Sequence, residues 1–160
     1  MSDEGVTKMI KTWIKRLWTT NNVEDRPQAN SHKKESDVME SKNDYLINHD
    51  TIDQIVKDTS IEILPLLIEN YLEEATLRSD NILKALDKQD FETLEFEAHT
   101  LGSTSLAMGA TGLGLLARKI ETACLNGTPT KALEHRMEFQ QLAEQSKLAF
   151  SKILEQAKTE

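Results

Sequence analysis

The sequence predicts an all-α fold, an antiparallel up-and-down four-helix bundle with a short capping helix, preceded by an amphipathic helix and a linker. Three observations carry that prediction. Aromatics make up only 5% of the 160 residues, so the core must be built from Leu, Ile, Ala and Met, which suit helices better than sandwiches. Three prolines and six glycines give too little punctuation for a many-stranded fold. From residue 45 onward, apolar side chains recur at steps of three and four, the helical period, and no alternating stretch of strand type interrupts them.

Three parts follow in order: a basic amphipathic helix over residues 1–18, a flexible linker over 19–44 and the bundle over 45–158. In the first, Met9, Ile10, Trp13, Ile14 and Leu17 share one face while Lys8, Lys11, Lys15 and Arg16 take the other. Such a helix suits peripheral contact with an anionic membrane, a partner groove, or packing back on the domain. Its lysines interrupt the apolar run, so neither a signal peptide nor a membrane span is read, and a cytoplasmic location is expected. The linker is polar and too poor in apolar residues to bury a core, and His32 lies solvated within it beside Lys33 and Lys34.

Within the bundle, Leu46, Ile47, Ile52, Ile55 and Val56 give a short helix capped by Asn48 or Asp50. After Asp58-Thr59-Ser60 a long helix should run to about Lys88, with Leu64, Ile68, Tyr71, Leu72, Ala75, Ile82 and Leu86 inward and Pro65 in its first turn. Asp90 caps the next, whose seam is Phe91, Leu94, Ala98, Leu101, Ser105 and Met108, and Gly109 ends it. A fourth helix spans about 111–125 with Leu113, Leu116, Ala117, Ile120 and Cys124 inward, and Asn126-Gly127 stops it. Thr128-Pro129 opens the last, its apolar side supplied by Leu133, Met137, Leu142, Leu148, Phe150, Ile153 and Leu154. Short connections make sequential helices antiparallel neighbours.

Composition excludes several functions. The formal net charge is −8, and residues 46–160 hold 11 Lys and Arg against 19 Asp and Glu, which argues against a nucleic-acid binder. Cys124 is the single cysteine, so neither an intramolecular disulfide nor a Cys cluster can form. No metal is expected, because Glu95 and His99 both fall outside the seam and the adjacent Glu134 and His135 point in different directions. There is no serine elbow, no Gly-rich phosphate loop and no recognisable ATP site, so the chain should not phosphorylate itself.

One histidine stands apart. With Leu94 set to zero, His99 falls at about 140° on the helical wheel, away from the seam, beside Glu92, Glu95, Gly102, Ser103 and Leu106. Gly102 costs a helix roughly 1 kcal/mol against Ala, and four of the six residues from Gly102 to Ala107 are Gly, Ser or Thr. Small residues beside an outward histidine leave room for an approaching partner. Neutral imidazole is a good nucleophile near neutral pH, and in-line phosphoryl transfer needs an open approach to it. His49 and His135 lack such a setting and are read as ordinary surface residues.

The stretch Ala98-His99-Thr100-Leu101, then Gly102-Ser103-Thr104-Ser105, then Gly109-Ala110, Leu113, Ala117 and Ile120-Glu121 resembles the histidine-containing phosphotransfer (HPt) domain. That family's usual pattern is Ala-His-x-Leu-Lys-Gly-Ser-Ser/Ala-x-x-x-Gly-Ala-x-x-Leu-x-x-x-Cys/Ala-x-x-Leu-Glu. The resemblance extends in helix order from about residue 45 to 156. Two positions depart from the pattern: Gly102 stands where a lysine is usual, and Ser103 where a glycine is usual. The resemblance implies that His99 is the phosphoacceptor, taking a phosphoryl group from a receiver-domain aspartate and passing it to another. The implied partners are receiver domains of a hybrid sensor kinase and of a response regulator, with Mg²⁺ supplied by the receiver and no cofactor held by this chain, a monomer. Docking is expected around Phe96, Gly102, Ser103 and Leu106, extended by Ile63 and Leu67. The alternative is a non-phosphorylated helical adaptor that binds a kinase or receiver domain with His99 inert.

Overall fold

In a computed structural model of the chain, residues 45–159 are described, and the expected basic helix over 1–18 and linker over 19–44 lie outside them. The described residues belong to one compact unit, Asn43–Glu160. Its helices are α1 (His49–Asp58), α2 (Leu64–Lys88), α3 (Phe91–Met108), α4 (Thr111–Leu125), the single turn α5 (Thr130–Leu133) and α6 (Arg136–Thr159). No strand occurs among the described residues.

The helix ends follow local chemistry. Asn48 and Asp90 cap α1 and α3 by accepting from the Thr51 and Thr93 amides at 3.0 and 3.2 Å. Pro65 sits in the first turn of α2, where no amide is needed. Gly109 ends α3 at φ +87, and the Asn48 amide donates to its carbonyl at 2.7 Å, fastening the start of α1 to the α3–α4 turn. A Cβ at Gly109 would lie 3.0 Å from the Asn48 carbonyl, so both conformation and space require glycine there. Gln89 ends α2 in the same left-handed region without being glycine.

Two-residue links turn α2 into α3 and α3 into α4, which forces antiparallel neighbours. Helix α3 packs between α2 and α4, while α6 closes the ring against α2 and α4. The ion pairs Arg136–Asp87 and Lys158–Glu69 join opposite ends of α6 and α2, fixing those two as antiparallel. The core is Ile68, Ile82, Leu94, Leu101, Leu113, Ile120, Phe139 and Phe150 with their neighbours. Within it the Tyr71 hydroxyl pairs with Ser105 Oγ at 3.0 Å, and the Tyr71 ring stands edge-on to Phe150. Burial pushes the Tyr71 phenol far above its usual range, the Ser105 hydrogen bond only partly opposing it.

Two expectations are corrected here. Leu67, expected to face outward, is 4% exposed. It lies three residues after Leu64 and four before Tyr71, inside the stripe that α2 buries. In the last helix Met137 and Leu148 are exposed, while Phe139, Ala143 and Ser146 turn inward. The expected stripe assumed one continuous helix from residue 129. The chain instead turns at Glu134 and His135, which resets the helical phase so that 139, 142, 143, 146 and 150 face the core.

Candidate functional site

The α3–α4 hairpin holds every side chain that touches His99 in the described contacts. Three steps up the hairpin set the register: Leu106 lies over Gly114, the Arg118 stem lies over Gly102, and His99 meets Glu121. Gly102 is buried, and a Cβ there would stand 3.1 Å from Arg118 Cδ and 3.2 Å from Cγ. The slot left by the missing side chain is therefore filled from inside the molecule. Gly102, expected on the docking face, is instead buried beneath the Arg118 side chain.

The His99 side chain is 43% exposed, and its Nδ1 lies 2.7 Å from Glu121 Oε1. Arg118 reaches across from α4. Its Nη1 donates to Glu121 Oε2 at 2.8 Å and comes within 3.1 Å of His99 Nδ1. Its Nη2 donates to Ser103 Oγ at 2.8 Å, and the Ser103 hydroxyl donates to the His99 carbonyl at 3.0 Å. The ring, the guanidinium and the α3 backbone are thereby tied into one unit.

The two contacts at Nδ1 compete, and they decide the tautomer. A carboxylate can only accept and a guanidinium can only donate, so Nδ1 cannot satisfy both. Both contacts involve a charged group, but the shorter, 2.7 against 3.1 Å, is with Glu121, which favours the proton on Nδ1 and the lone pair on Nε2. Arg118 Nη1 is then spent on Glu121 and is merely close to the ring. Partial burial pushes the Glu121 carboxyl up, but hydrogen bonds from His99 and Arg118 outweigh it and hold it below the usual carboxylate range. Glu121 is an ionised acceptor at neutral pH.

The other expected residues lie as follows. Phe96, one turn before His99, is 63% exposed. Leu106 is half-buried, its tip in the notch left by Gly114. Ile63 is half-buried at the N-cap of α2, and Leu67 is in the core. Arg118 was not singled out by the sequence reading, and Glu121 entered only as a motif position. Their signal was a basic and an acidic residue three apart on the helix paired with α3. Leu115 and Leu125, at helical spacing from Arg118, add exposed apolar area along α4. A separate polar cluster joins α2 to α3, where Glu97 accepts from Arg78 and Asn81. No group of metal-ligating side chains occurs among the described residues, and no described helix is long and apolar enough to cross a membrane.

Comparison with known proteins gives two likenesses. The family described as the Hpt domain matches residues 66–159. The chain is also similar in structure to histidine-containing phosphotransfer protein B (HptB) from Pseudomonas aeruginosa PAO1, with a TM-score of 0.63 over 69% of this chain and 95% of that one. At 16% identity this is a likeness of fold. No curated protein matches significantly.

Proposed function

Because this chain belongs to the Hpt domain family, we propose that His99 carries a phosphoryl group between receiver domains. The observation supporting this most directly is the Glu121 carboxylate at 2.7 Å from Nδ1, which leaves the nucleophilic lone pair on Nε2. The step balances simply. Nε2 attacks the phosphorus of an aspartyl phosphate, the N–P bond forms, and the P–O bond breaks with its electron pair returning to the donor carboxylate. The Nδ1 proton stays in place, and Glu121 offsets the positive ring. In the return step a second receiver's aspartate attacks phosphorus, and the imidazole that leaves is already protonated, which makes it a better leaving group.

The chain contributes a nucleophile, an orienting carboxylate and a docking face, not a kinase. Receiver domains of a hybrid sensor kinase and of a response regulator are the proposed partners, and the receiver supplies Mg²⁺. Phe96, Leu115 and Leu125 offer the apolar part of a weak, transient surface beside the histidine. A monomer working in the cytoplasm fits this role. Incubation with a phosphorylated receiver domain should give an acid-labile phosphoprotein, and His99→Gln should abolish the label. Label persisting in that variant would sink the assignment, and equal relay by wild type and His99→Ala would favour the adaptor reading.

A further inference from the structure

We propose that Arg118 is the charge partner of the phosphorylated His99, delivered from α4 through the space that Gly102 leaves open on α3. This rests on the phosphoacceptor reading of His99 and names the residue that makes the site tolerate the added charge. A phosphoryl group brings up to two negative charges at neutral pH, and Glu121 beside the ring is already ionised. Two anions facing one imidazole need a cation. Arg118 is the cation that the described contacts place there, with Nη1 3.1 Å from His99 Nδ1 and Nη2 pinned to Ser103, and the phosphoryl group on Nε2 of the same ring falls within its field.

The pin matters. Ser103 Oγ is itself bound to the His99 carbonyl, so the guanidinium is located relative to the backbone that carries the nucleophile. Arginine has five N–H donors in a rigid fork, of which Glu121 and Ser103 take two, and the others suit phosphoryl oxygens. Gly102 explains itself in the same terms. A Cβ at 102 would stand 3.1–3.3 Å from the Arg118 stem and oblige it to shift, so a cation reaching over this turn from α3 would contend for the space with the one from α4. The lysine that the family pattern puts at this position is thus replaced, not lost.

The test uses the full chain with phosphoramidate as donor, which phosphorylates imidazole with departure of ammonia and needs no partner protein. Uptake at His99 is followed in wild type, Arg118→Gln, Arg118→Lys and the double variant Gly102→Lys/Arg118→Ala, each with its urea midpoint measured. Expected for Arg118→Gln is a roughly fivefold to tenfold slower uptake that has lost its dependence on ionic strength, with the urea midpoint close to wild type. Arg118→Lys and the double variant, which keep a cation or return it to α3, should recover most of the rate and its salt dependence. Wild-type uptake and salt dependence in Arg118→Gln overturn the proposal while leaving His99 as acceptor. So does a folded Arg118→Lys that is as slow as Arg118→Gln. Absence of label at His99 in wild type refutes the acceptor reading itself and this inference with it.

Discussion

Removing the Glu121 carboxylate should change which nitrogen of His99 is the nucleophile. In Glu121→Ala the acceptor 2.7 Å from Nδ1 disappears, and Arg118 Nη1, 3.1 Å away, becomes the group facing that nitrogen. A guanidinium can only donate, so it binds the tautomer with its lone pair on Nδ1 and its proton on Nε2. The lone pair leaves the atom that must attack phosphorus. A hydrogen bond to a charged group contributes about 1.5–3 kcal/mol, and the partial exposure of His99 places this one near the lower end. That corresponds to a roughly tenfold slower phosphoryl uptake. Glu121→Gln keeps an acceptor oxygen and should lose about threefold, the neutral bond being about half as strong. Uptake kinetics give the rate, and nitrogen chemical shifts in an NMR spectrum report the tautomer: Nδ1–H in wild type, Nε2–H in Glu121→Ala. Nδ1–H in both proteins, with uptake within about twofold, would refute the orienting role.

Other outcomes follow from the same structure. Because Glu121 titrates below its ordinary value of 4.5 when folded, its contribution to stability is present above that pH and fades as pH falls through the lowered folded value. Acid titration of stability should therefore be shallower in Glu121→Gln than in wild type below about pH 4.5, and equal slopes would contradict it. Gly109→Ala, at φ +87 and against the Asn48 carbonyl, should cost about 1–2 kcal/mol in urea unfolding, and a neutral result would deny the strain. Leu67→Ala should cost about 2–5 kcal/mol as a core truncation. Phe96→Ala should leave stability within about 0.5 kcal/mol and weaken receiver binding, the reverse of what the buried Leu67 gives.

Whatever depends on one helix and its own period was legible in the sequence. The caps at Asn48 and Asp90, the stop at Gly109 and the seam Leu94, Ala98, Leu101, Ser105 and Met108 all arise from neighbours three or four residues apart. Where a short turn shifts the phase, as at Glu134 and His135, the reading carried the wrong face forward and placed Met137 and Leu148 inside. Gln89 in a left-handed end was invisible because composition there names no glycine. The partners of His99 were hidden for another reason. Arg118 and Glu121 reach it through the register of α4 on α3, and that register comes from Leu106 over Gly114 and the Arg118 stem over Gly102, which no single-helix wheel contains. The small residues after His99 are legible in the sequence as open space, which a single helix cannot assign to an occupant. At Gly102 the occupant is the protein's own arginine.

The hairpin that carries these four side chains also bears on when the site assembles. Glu121 lies only 22 residues after His99, and a two-residue turn joins their helices, so closing the site needs a short loop and low contact order. The long-range pairing of α2 with α6 spans 89 residues between Glu69 and Lys158 and carries the larger closure entropy. Partial openings that release α6 should therefore be less protected in hydrogen exchange than the α3–α4 unit. A chain that has loosened its last helix should still hold His99, Ser103, Arg118 and Glu121 in mutual register, because their contacts lie within the α3–α4 hairpin.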